Sequence, residues 1–317
     1  MGCTFKTLRV VYGDFTLGVH GEGFDYIFSY AQGGLESLVK NGYEWLYRCP
    51  KPTFWRATTD NDRGSKFHIK SGSWLAADMF IECKDVEVIT DGKSQGKPCA
   101  PENNKYGGDV FAENVIVKYV YETITTPATT VEVVYSVDNK GKIAVNVSYK
   151  GAKGLPQLPV FGLRFIMPTL ADKYTYEGLS GETYPDRMAG AEKGIFEIDD
   201  ISLTNYLVPQ ECGMRMGTEW LEVTRHTSLN NCRKGNSNQI LRIEKKDKGF
   251  AFSCLPYTAS EIENALHHEE LPPARRTILC VYGAVRGVGG IDSWGTDVAD
   301  EYHVSAEEDI KYSFTIC

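Results

Sequence analysis

Residues 131–149 read VEVVYSVDNKGKIAVNVSY, and this stretch decides the fold. Val, Tyr or Ile stands at every second position on both sides of the turn sequence Asp138-Asn139-Lys140-Gly141. A period of two is that of a strand with one buried face, and the turn sequence suits a hairpin. Polar residues between the apolar ones, such as Glu132 and Asn146, predict that the opposite face meets water. Antiparallel sheets allow this, whereas parallel α/β sheets do not.

The same pattern returns along the rest of the chain. Short apolar runs, separated by turns rich in Gly, Asn and Asp, fill the first 45 residues and are typical of a β-meander. No long helical pattern alternates with them, which argues against a parallel sheet. We predict further strands at 8–12, 15–19, 26–30, 115–121, 160–167, 194–198, 240–243, 250–254 and 277–282.

Helical patterns are few. Thr258 and Glu261 match a capping box in front of a narrow apolar face, and Pro272 stops the pattern, so a helix is predicted over 258–268. A second, shorter helix is predicted over 73–79. The predicted fold class is therefore all-β, a large antiparallel β-sandwich with one or two short helices.

Length and composition are those of a globular protein. The chain has 317 residues, of which 42% are hydrophobic, and a formal net charge of −8. No convincing linker divides it, so we expect a single domain over 1–317. No block of Lys or Arg could neutralise a run of phosphates, and no stretch approaches the ~20 apolar residues of a membrane span. We therefore expect neither nucleic acid nor membrane as a partner.

The nine cysteines are scattered, odd in number and never in a Cys-x-x-Cys pair. This pattern argues against a disulfide framework and against a zinc site. The N-terminus lacks the apolar core of a signal peptide. Reduced thiols in the cytoplasm are the expectation.

Residues 283–295, GAVRGVGGIDSWG, hold five glycines and end on one large aromatic, Trp294. Glycines allow backbone conformations that residues with a Cβ atom disfavour. The stretch is therefore suited to form a tight loop that places the Trp294 ring at its end. A core tryptophan behind a tight corner and a ring stacked on a ligand are both consistent with this stretch.

Residues 53–64, TFWRATTDNDRG, place Asp60, Asn61 and Asp62 beside two arginines. An EF-hand is excluded, because its glycine and its closing glutamate are not at the required spacing. An Asp-rich turn with a local arginine counter-charge and a polar loop at a cleft remain as alternatives.

Two other stretches are rich in polar residues. The first is consistent with either a sugar site or a solvated loop, and the second favours a solvated helix end. Residues 177–187 mix Tyr, Asp, Glu and Arg as sugar sites do, but they also suit a solvated loop stapled by Asp186 and Arg187. The His-His-Glu-Glu run at 267–270 cannot converge on one metal ion from neighbouring helix positions, so a solvated helix end is favoured. No Gly-x-Ser-x-Gly elbow supports a serine triad.

Five segments stand out when they are taken in chain order: FWRATTDNDRG at 54–64, LPVFGL at 158–163, YPDR at 184–187, GMR at 213–215 and GVGGIDSW at 287–294. Together they resemble the C-terminal domain of family 2 β-galactosidases. In the long enzymes of that family this domain follows the catalytic barrel, while some lactic bacteria encode it as a separate small subunit.

The resemblance implies a galactose-mutarotase-like sandwich that serves as the small subunit of a heteromeric, retaining β-galactosidase acting on lactose-like galactosides. A large subunit is then expected to carry both catalytic glutamates and to bind Mg and Na, so this chain is expected to hold no catalytic residue and no cofactor. Trp294 matches the aromatic residue with which this domain contacts the sugar in that family, and the loop that begins at Gly64 matches a mobile loop at the mouth of that site. The substrate-binding candidates are Trp294, Asp292, Gly64, Asp60, Asn61 and Asp62.

Two alternatives belong to other functional classes. A stand-alone aldose 1-epimerase would need a histidine and a carboxylate that converge in one cleft. A non-catalytic carbohydrate-binding module would bind sugar without any partner chain.

Overall fold

This computed structural model describes residues 7–100, 110–230 and 238–317. That part of the chain contains twenty-one strands and three short α-helices. The first nine strands are β1 Leu8–Tyr12, β2 Thr16–Gly21, β3 Phe24–Ser29, β4 Gly34–Lys40, β5 Tyr43–Glu44, β6 Arg48–Thr53, β7 Glu82–Thr90, β8 Lys93–Gly96 and β9 Val110–Ala112. The other twelve are β10 Asn114–Glu122, β11 Thr130–Asp138, β12 Ile143–Tyr149, β13 Val160–Ile166, β14 Lys173–Leu179, β15 Lys193–Ile198, β16 Arg215–Thr218, β17 Trp220–Arg225, β18 Gln239–Lys245, β19 Phe250–Leu255, β20 Ile278–Val285 and β21 Ile310–Ile316. The helices are α1 Asp60–Gly64, α2 Phe67–Lys70 and α3 Ala259–Asn264.

The strands form three antiparallel sheets. A ten-stranded sheet has the order β15-β14-β17-β18-β21-β12-β11-β10-β7-β8. A six-stranded sheet runs β5-β4-β3-β2-β1-β9, and a five-stranded sheet runs β16-β19-β20-β13-β6. This architecture confirms the all-β, antiparallel prediction.

The buried face of the ten-stranded sheet packs against both smaller sheets. On the side of the six-stranded sheet, the Tyr119 hydroxyl donates to the Gly34 carbonyl at 3.1 Å. On the side of the five-stranded sheet, the rings of Tyr149 and Phe161 lie 5.4 Å apart. One continuous hydrophobic cluster therefore joins all three sheets and fixes the positions of the loops between them.

The hairpin of residues 131–149 has the predicted form. Strand β11 pairs with β12 from Val131 opposite Tyr149 to Val137 opposite Ile143, and burial alternates along both strands. The Asp138 carboxylate caps the turn by accepting the N–H groups of Lys140 and Lys142. The predicted water-facing side is also confirmed by the alternating half-exposed positions.

The predicted helix over 258–268 is correct at its start and too long at its end. The Thr258 side chain accepts from the Glu261 N–H and the Glu261 carboxylate accepts from the Thr258 N–H, as in a capping box. The helix ends at Asn264, because Ala265 is extended and Leu266 donates its N–H to Glu270. A separate 3-10 turn follows at His268–Glu270.

The predicted helix over 73–79 is wrong. A 3-10 turn covers Gly72–Trp74 only, and Ala76 takes the left-handed conformation with φ of 61°. A residue in that region cannot continue a right-handed helix. Trp74 is fully buried, and its indole N–H donates to the Pro156 carbonyl at 2.9 Å.

Seven cysteines lie in the described residues, and none of these seven forms a disulfide. Cys3 and Cys232 lie outside the described residues. Within those residues, the helices are too short and too polar to span a bilayer.

Candidate functional site

The glycine-rich stretch forms a loop that leaves β20 and presents Trp294 to solvent. We call residues 286–297 the tryptophan loop. Its two ends are joined by an ion pair between Arg286 and Asp297. At its tip, the Asp292 carboxylate accepts from the Trp294 N–H at 2.9 Å and from the Thr296 N–H and hydroxyl. The Trp294 side chain is 89% exposed, so the core-packing alternative is wrong for this chain.

Asp292 is an exposed part of the same turn. Its hydrogen bond from the Thr296 hydroxyl, and then those from the Trp294 and Thr296 N–H groups, hold the pKa of its carboxyl below the usual range. The carboxylate thus stays ionised and shapes the loop.

The tryptophan loop lies directly against α1. Gly295 has φ of +83°, and a Cβ added there would lie 2.6 Å from the Gly64 carbonyl oxygen. Close by, the Asn61 amide donates to the Val288 carbonyl at 3.0 Å. The structure thus brings the predicted residues Gly64 and Asn61 to the loop that carries Trp294.

The YPDR segment holds the other side of the loop. The Asp186 carboxylate accepts the N–H groups of Val288 at 3.0 Å and Gly289 at 2.7 Å. The Arg187 guanidinium donates to the Gly289 carbonyl. Both side chains therefore bind the tryptophan loop, which assigns this part of 177–187 to the site rather than to an isolated solvated staple. The first residues of that stretch belong to strand β14.

A buried cluster of charges lies beneath the loop. The Arg56 guanidinium donates twice to the Asp62 carboxylate, at 2.6 and 3.0 Å, and once to the Gly287 carbonyl at 3.1 Å. Arg286 lies 3.6 Å from Asp62, and its guanidinium stacks 3.8 Å above the Phe67 ring. These bonds tie α1 to the base of the tryptophan loop.

Asp62 therefore differs from the other five predicted substrate-binding residues. Its side chain is 2% exposed, caps α1 by accepting from Thr59 and neutralises Arg56. This is the Asp-rich turn with an arginine counter-charge that the sequence left as an alternative. The other five, Asp60, Asn61, Gly64, Asp292 and Trp294, are exposed.

A polar cleft of about 480 Å³ opens beside α1 and Val288. We call it the polar cleft; among the residues that line it are Asp60, Asn61, Glu182, Arg187, Tyr206 and Glu211. Burial raises the pKa of Glu211 to about 8. The described lining of this cleft includes carboxylates but no histidine, so it does not supply the pair that an aldose epimerase requires.

The remaining two segments of the resemblance also border the site. The Pro159 carbonyl accepts the Arg286 N–H at 3.0 Å, and the Met214 carbonyl accepts the Thr183 N–H at 3.0 Å. Three of the segments, at 54–64, 158–163 and 184–187, thus contact the tryptophan loop, which contains the fifth, and the segment at 213–215 bonds to Thr183 beside YPDR.

Several residues of the site were not singled out by the sequence analysis. Glu263 of α3 accepts the Thr58 N–H at 2.6 Å and the Trp55 indole N–H at 3.3 Å, and so holds the 54–59 stretch in place. A lone glutamate on a short helix carries no sequence signal for this. Arg286 does have one, because it is the single charge among apolar residues and glycines at 283–291.

The His-His-Glu-Glu run is a surface feature. The His267 ring bonds the Glu270 carboxylate at 3.0 Å, which raises the pKa of His267, and both side chains are exposed. In the part of the chain that the structure describes, no group of three His, Cys, Asp or Glu side chains is placed to hold a metal ion. Binding of Mg and Na by a large subunit stays a prediction.

Solved structures with which the chain can be superposed are distant in sequence. They include a galactose mutarotase-like protein from Lactobacillus casei, with a TM-score of 0.39 and 10% identity over 95% of this chain and 99% of that one. A galactose 1-epimerase from Lactobacillus acidophilus gives a TM-score of 0.38 and 8% identity over 95% of this chain and 93% of that one. The family assignment rests on sequence relatives instead.

Sequence comparison identifies the family. The family model described as "Beta galactosidase small chain" matches residues 20–316. The chain is 56% identical over 316 residues to the β-galactosidase small subunit of Latilactobacillus sakei, covering 100% of this chain and 99% of that protein. It is 36% identical to the β-galactosidase of Halalkalibacterium halodurans and 33% identical to that of Streptococcus thermophilus, covering 98% of this chain but only 28% and 27% of those longer proteins. This chain therefore belongs to the β-galactosidase small chain family, whose members are subunits of a glycoside hydrolase.

Proposed function

We propose that this chain forms one wall of the active site of a heteromeric, retaining β-galactosidase that hydrolyses lactose-like β-galactosides. A large subunit carries both catalytic glutamates and binds Mg and Na. The observation that carries the proposal is the exposure of Trp294, 89%, on a loop whose backbone is held from two sides. A large ring on a fixed loop is suited to stack on a sugar or to meet a partner.

The magnitudes support this division of labour. A sugar face that covers on the order of 50 to 100 Å² of the Trp294 ring gives ~1 to 2.5 kcal/mol. Glycosidase acceleration needs at least ~8 kcal/mol, and retaining chemistry needs two carboxyl groups about 5 to 5.5 Å apart. Trp294 can position a substrate but cannot break the glycosidic bond.

The carboxylate beside Trp294 is unsuited to acid catalysis. A general acid must be protonated near neutral pH, which requires a raised pKa. The pKa of Asp292 is instead lowered by the Thr296 hydroxyl and by backbone N–H groups. We therefore assign Asp292 to shaping the loop, and Asp60, Asn61 and Gly64 to the rim beside it.

The proposal is tested by purifying this chain and its large partner separately and measuring nitrophenyl β-galactoside hydrolysis. We expect activity only when the two are mixed, with a plateau at a fixed ratio of the chains. Turnover by the pure chain alone at enzymatic speed would contradict the proposal, as would a large chain whose activity is complete without this one.

A further inference from the structure

The polar cleft has the size and composition of a binding site. Asp60 and Asn61 belong both to its lining and to the rim assigned above, but the proposed stacking on Trp294 does not use the cleft itself. Its volume of about 480 Å³ falls in the range of small-molecule sites. Its lining reaches the tryptophan loop at Val288 and continues to Tyr206 and Glu211. The cleft therefore opens beside the base of the loop that presents Trp294.

We propose that the polar cleft binds a neutral, hydroxyl-rich ligand of monosaccharide size. This is a carbohydrate site formed by this chain alone, beyond the proposed function of completing a partner's active site.

The floor of the cleft is a buried carboxyl group with unused hydrogen-bonding capacity. Glu211 is 7% exposed, and the hydrogen bond that its side chain receives comes from the Tyr184 hydroxyl at 3.5 Å. The nearby Arg56 does not neutralise it directly, because both ends of that guanidinium bind Asp62. Buried carboxyl groups in proteins are normally well hydrogen-bonded, so a ligand hydroxyl fits this position.

The protonation state of Glu211 suits such a ligand. Burial raises the pKa of its carboxyl to about 8; Asp62 and Glu182 add to this rise, while Arg56 and the Tyr184 hydroxyl oppose it. Near neutral pH the carboxyl is therefore mostly protonated, so it can donate one hydrogen bond and accept others. A sugar hydroxyl offers the same combination.

The walls carry charges of both signs. Asp60 and Glu182 are acidic, and Arg187 is basic. An anion is attracted by the guanidinium but repelled by the two carboxylates, and for a cation the signs are reversed, so neither charge is matched by the whole lining. A neutral polyol avoids both penalties and can bond to either kind of group.

Tyr206 supplies an apolar face at the edge of the cleft. Its side chain is 40% exposed, while its backbone is held by its own N–H bond to the Thr204 carbonyl at 2.9 Å and by His268, which bonds its carbonyl at 2.7 Å. A half-exposed ring on a backbone held in this way, beside polar groups, can pack against the C–H face of a sugar ring.

The test is calorimetric titration of the purified full chain with D-glucose and D-galactose, with gluconate and glucosamine as charged comparators. The Tyr206→Ala and Tyr206→Leu variants remove the ring, the second while keeping apolar bulk. Tyr47→Ala is the matched control, because Tyr47 is 42% exposed and lines other surface pockets but not the polar cleft. We expect saturable binding of a neutral sugar, weakened about 10-fold in both Tyr206 variants and unchanged in Tyr47→Ala.

Glu211→Gln adds a second readout. This variant keeps a neutral hydrogen-bonding group, so we expect it to bind sugar near neutral pH. Binding by the unmodified chain should weaken as the pH rises past about 8, whereas binding by Glu211→Gln should not. Thermal unfolding of each variant verifies that it is folded.

Three results would overturn the proposal: no saturable binding of either neutral sugar, preferential binding of a charged comparator, or binding that survives both Tyr206 variants and disappears in Trp294→Ala. The last result would move the sugar to the tryptophan loop. It would leave the proposed function standing, so failure of the two ideas can be told apart.

Discussion

At the scale of single residues, Trp294 is a large aromatic with 89% of its surface exposed, and its removal should affect binding more than folding. We expect Trp294→Ala to fold and assemble normally and to raise KM of the reconstituted enzyme about 5- to 70-fold, which corresponds to ~1 to 2.5 kcal/mol of lost stacking. Steady-state hydrolysis of a nitrophenyl β-galactoside measures the effect, and Trp294→Phe should show a smaller one. Unchanged kinetics would show that the ring does not contact substrate.

Glu211 should make the stability of the chain depend on pH. Burial raises the pKa of its carboxyl from 4.5 to about 8 in the folded state. Between pH 4.5 and about 8 the folded chain binds more protons than the unfolded chain, so the free energy of unfolding falls as the pH rises. The contribution of Glu211 to stability is therefore present at low pH and is lost as the pH rises through about 8. We expect Glu211→Gln to lose less stability than the unmodified chain over that interval.

Denaturant unfolding on both sides of this pH interval measures the difference. The exposed Glu308→Gln is the matched control and should follow the unmodified chain. Parallel pH profiles for the unmodified chain and Glu211→Gln would show that Glu211 is ionised throughout.

The sequence could predict the polar residues of α1 but not their directions. Asp60, Asn61 and Asp62 are adjacent, and successive positions of one helical turn point about 100° apart. The first two face solvent and the third faces Arg56, a distinction that depends on what packs behind the turn. Glu211 was missed for the same reason, because the sheets that bury it are formed by distant parts of the chain.

At the scale of elements, the contact between α1 and the tryptophan loop should set the position of the indole ring. A side chain at Gly295 is disfavoured twice, by φ of +83° and by the Gly64 carbonyl 2.6 Å from the added Cβ. We expect Gly295→Ala to push the loop off α1 and to raise KM of the reconstituted enzyme as Trp294→Ala does, with a loss of stability above ~1 kcal/mol.

Gly190→Ala is the matched control for this change. Gly190 has φ of +80° with no heavy atom within 4 Å of the added Cβ, so the substitution introduces the backbone penalty without the clash. It should cost about 1 kcal/mol of stability and leave KM unchanged. Equal effects of the two substitutions on KM would show that the backbone contact at Gly64 does not position Trp294.

Strands with regular alternation were predictable, whereas strands shaped by their neighbours were not. Strands β10 to β12 follow the period-two pattern along their whole length. Strand β6, Arg48–Thr53, contains Pro50 and Pro52, which argue against a strand. It forms because it lies at the edge of the five-stranded sheet, where a missing N–H is tolerated. Helix α1 is a single turn and too short to show any period.

At the scale of the whole molecule, the core between the three sheets explains how the tryptophan loop is anchored by distant segments of the chain. The anchors of the tryptophan loop come from Asn61, Asp186 and Pro159, which lie on three segments far apart in sequence. A cluster of hydrophobic side chains that spans all three sheets holds those segments in a fixed relation. The described part of the chain thus presents Trp294 on a loop held by these anchors, as the proposed wall of a shared pocket requires.

The tryptophans offer a direct measurement of where a partner docks. All five lie in the described residues, and Trp45, Trp55 and Trp74 are buried while Trp220 is covered by the Arg242 guanidinium 4.5 Å from its ring centre. Trp294 is the fully exposed one. Acrylamide quenching of the free chain should therefore report mainly on this ring, and Trp294→Phe should remove most of the quenchable emission.

We expect binding of the large subunit to lower acrylamide quenching of Trp294. A ring that lies in a pocket formed by both subunits loses contact with solvent when they associate. The large subunit's own tryptophans are subtracted by repeating the titration with Trp294→Phe, which keeps an aromatic ring and the same loop. A galactoside added at saturation should lower quenching of the Trp294 signal further, since the sugar then covers the face of the indole. If a saturating partner leaves quenching of Trp294 unchanged, the tryptophan loop points away from the interface and this chain cannot contribute its ring to the partner's active site.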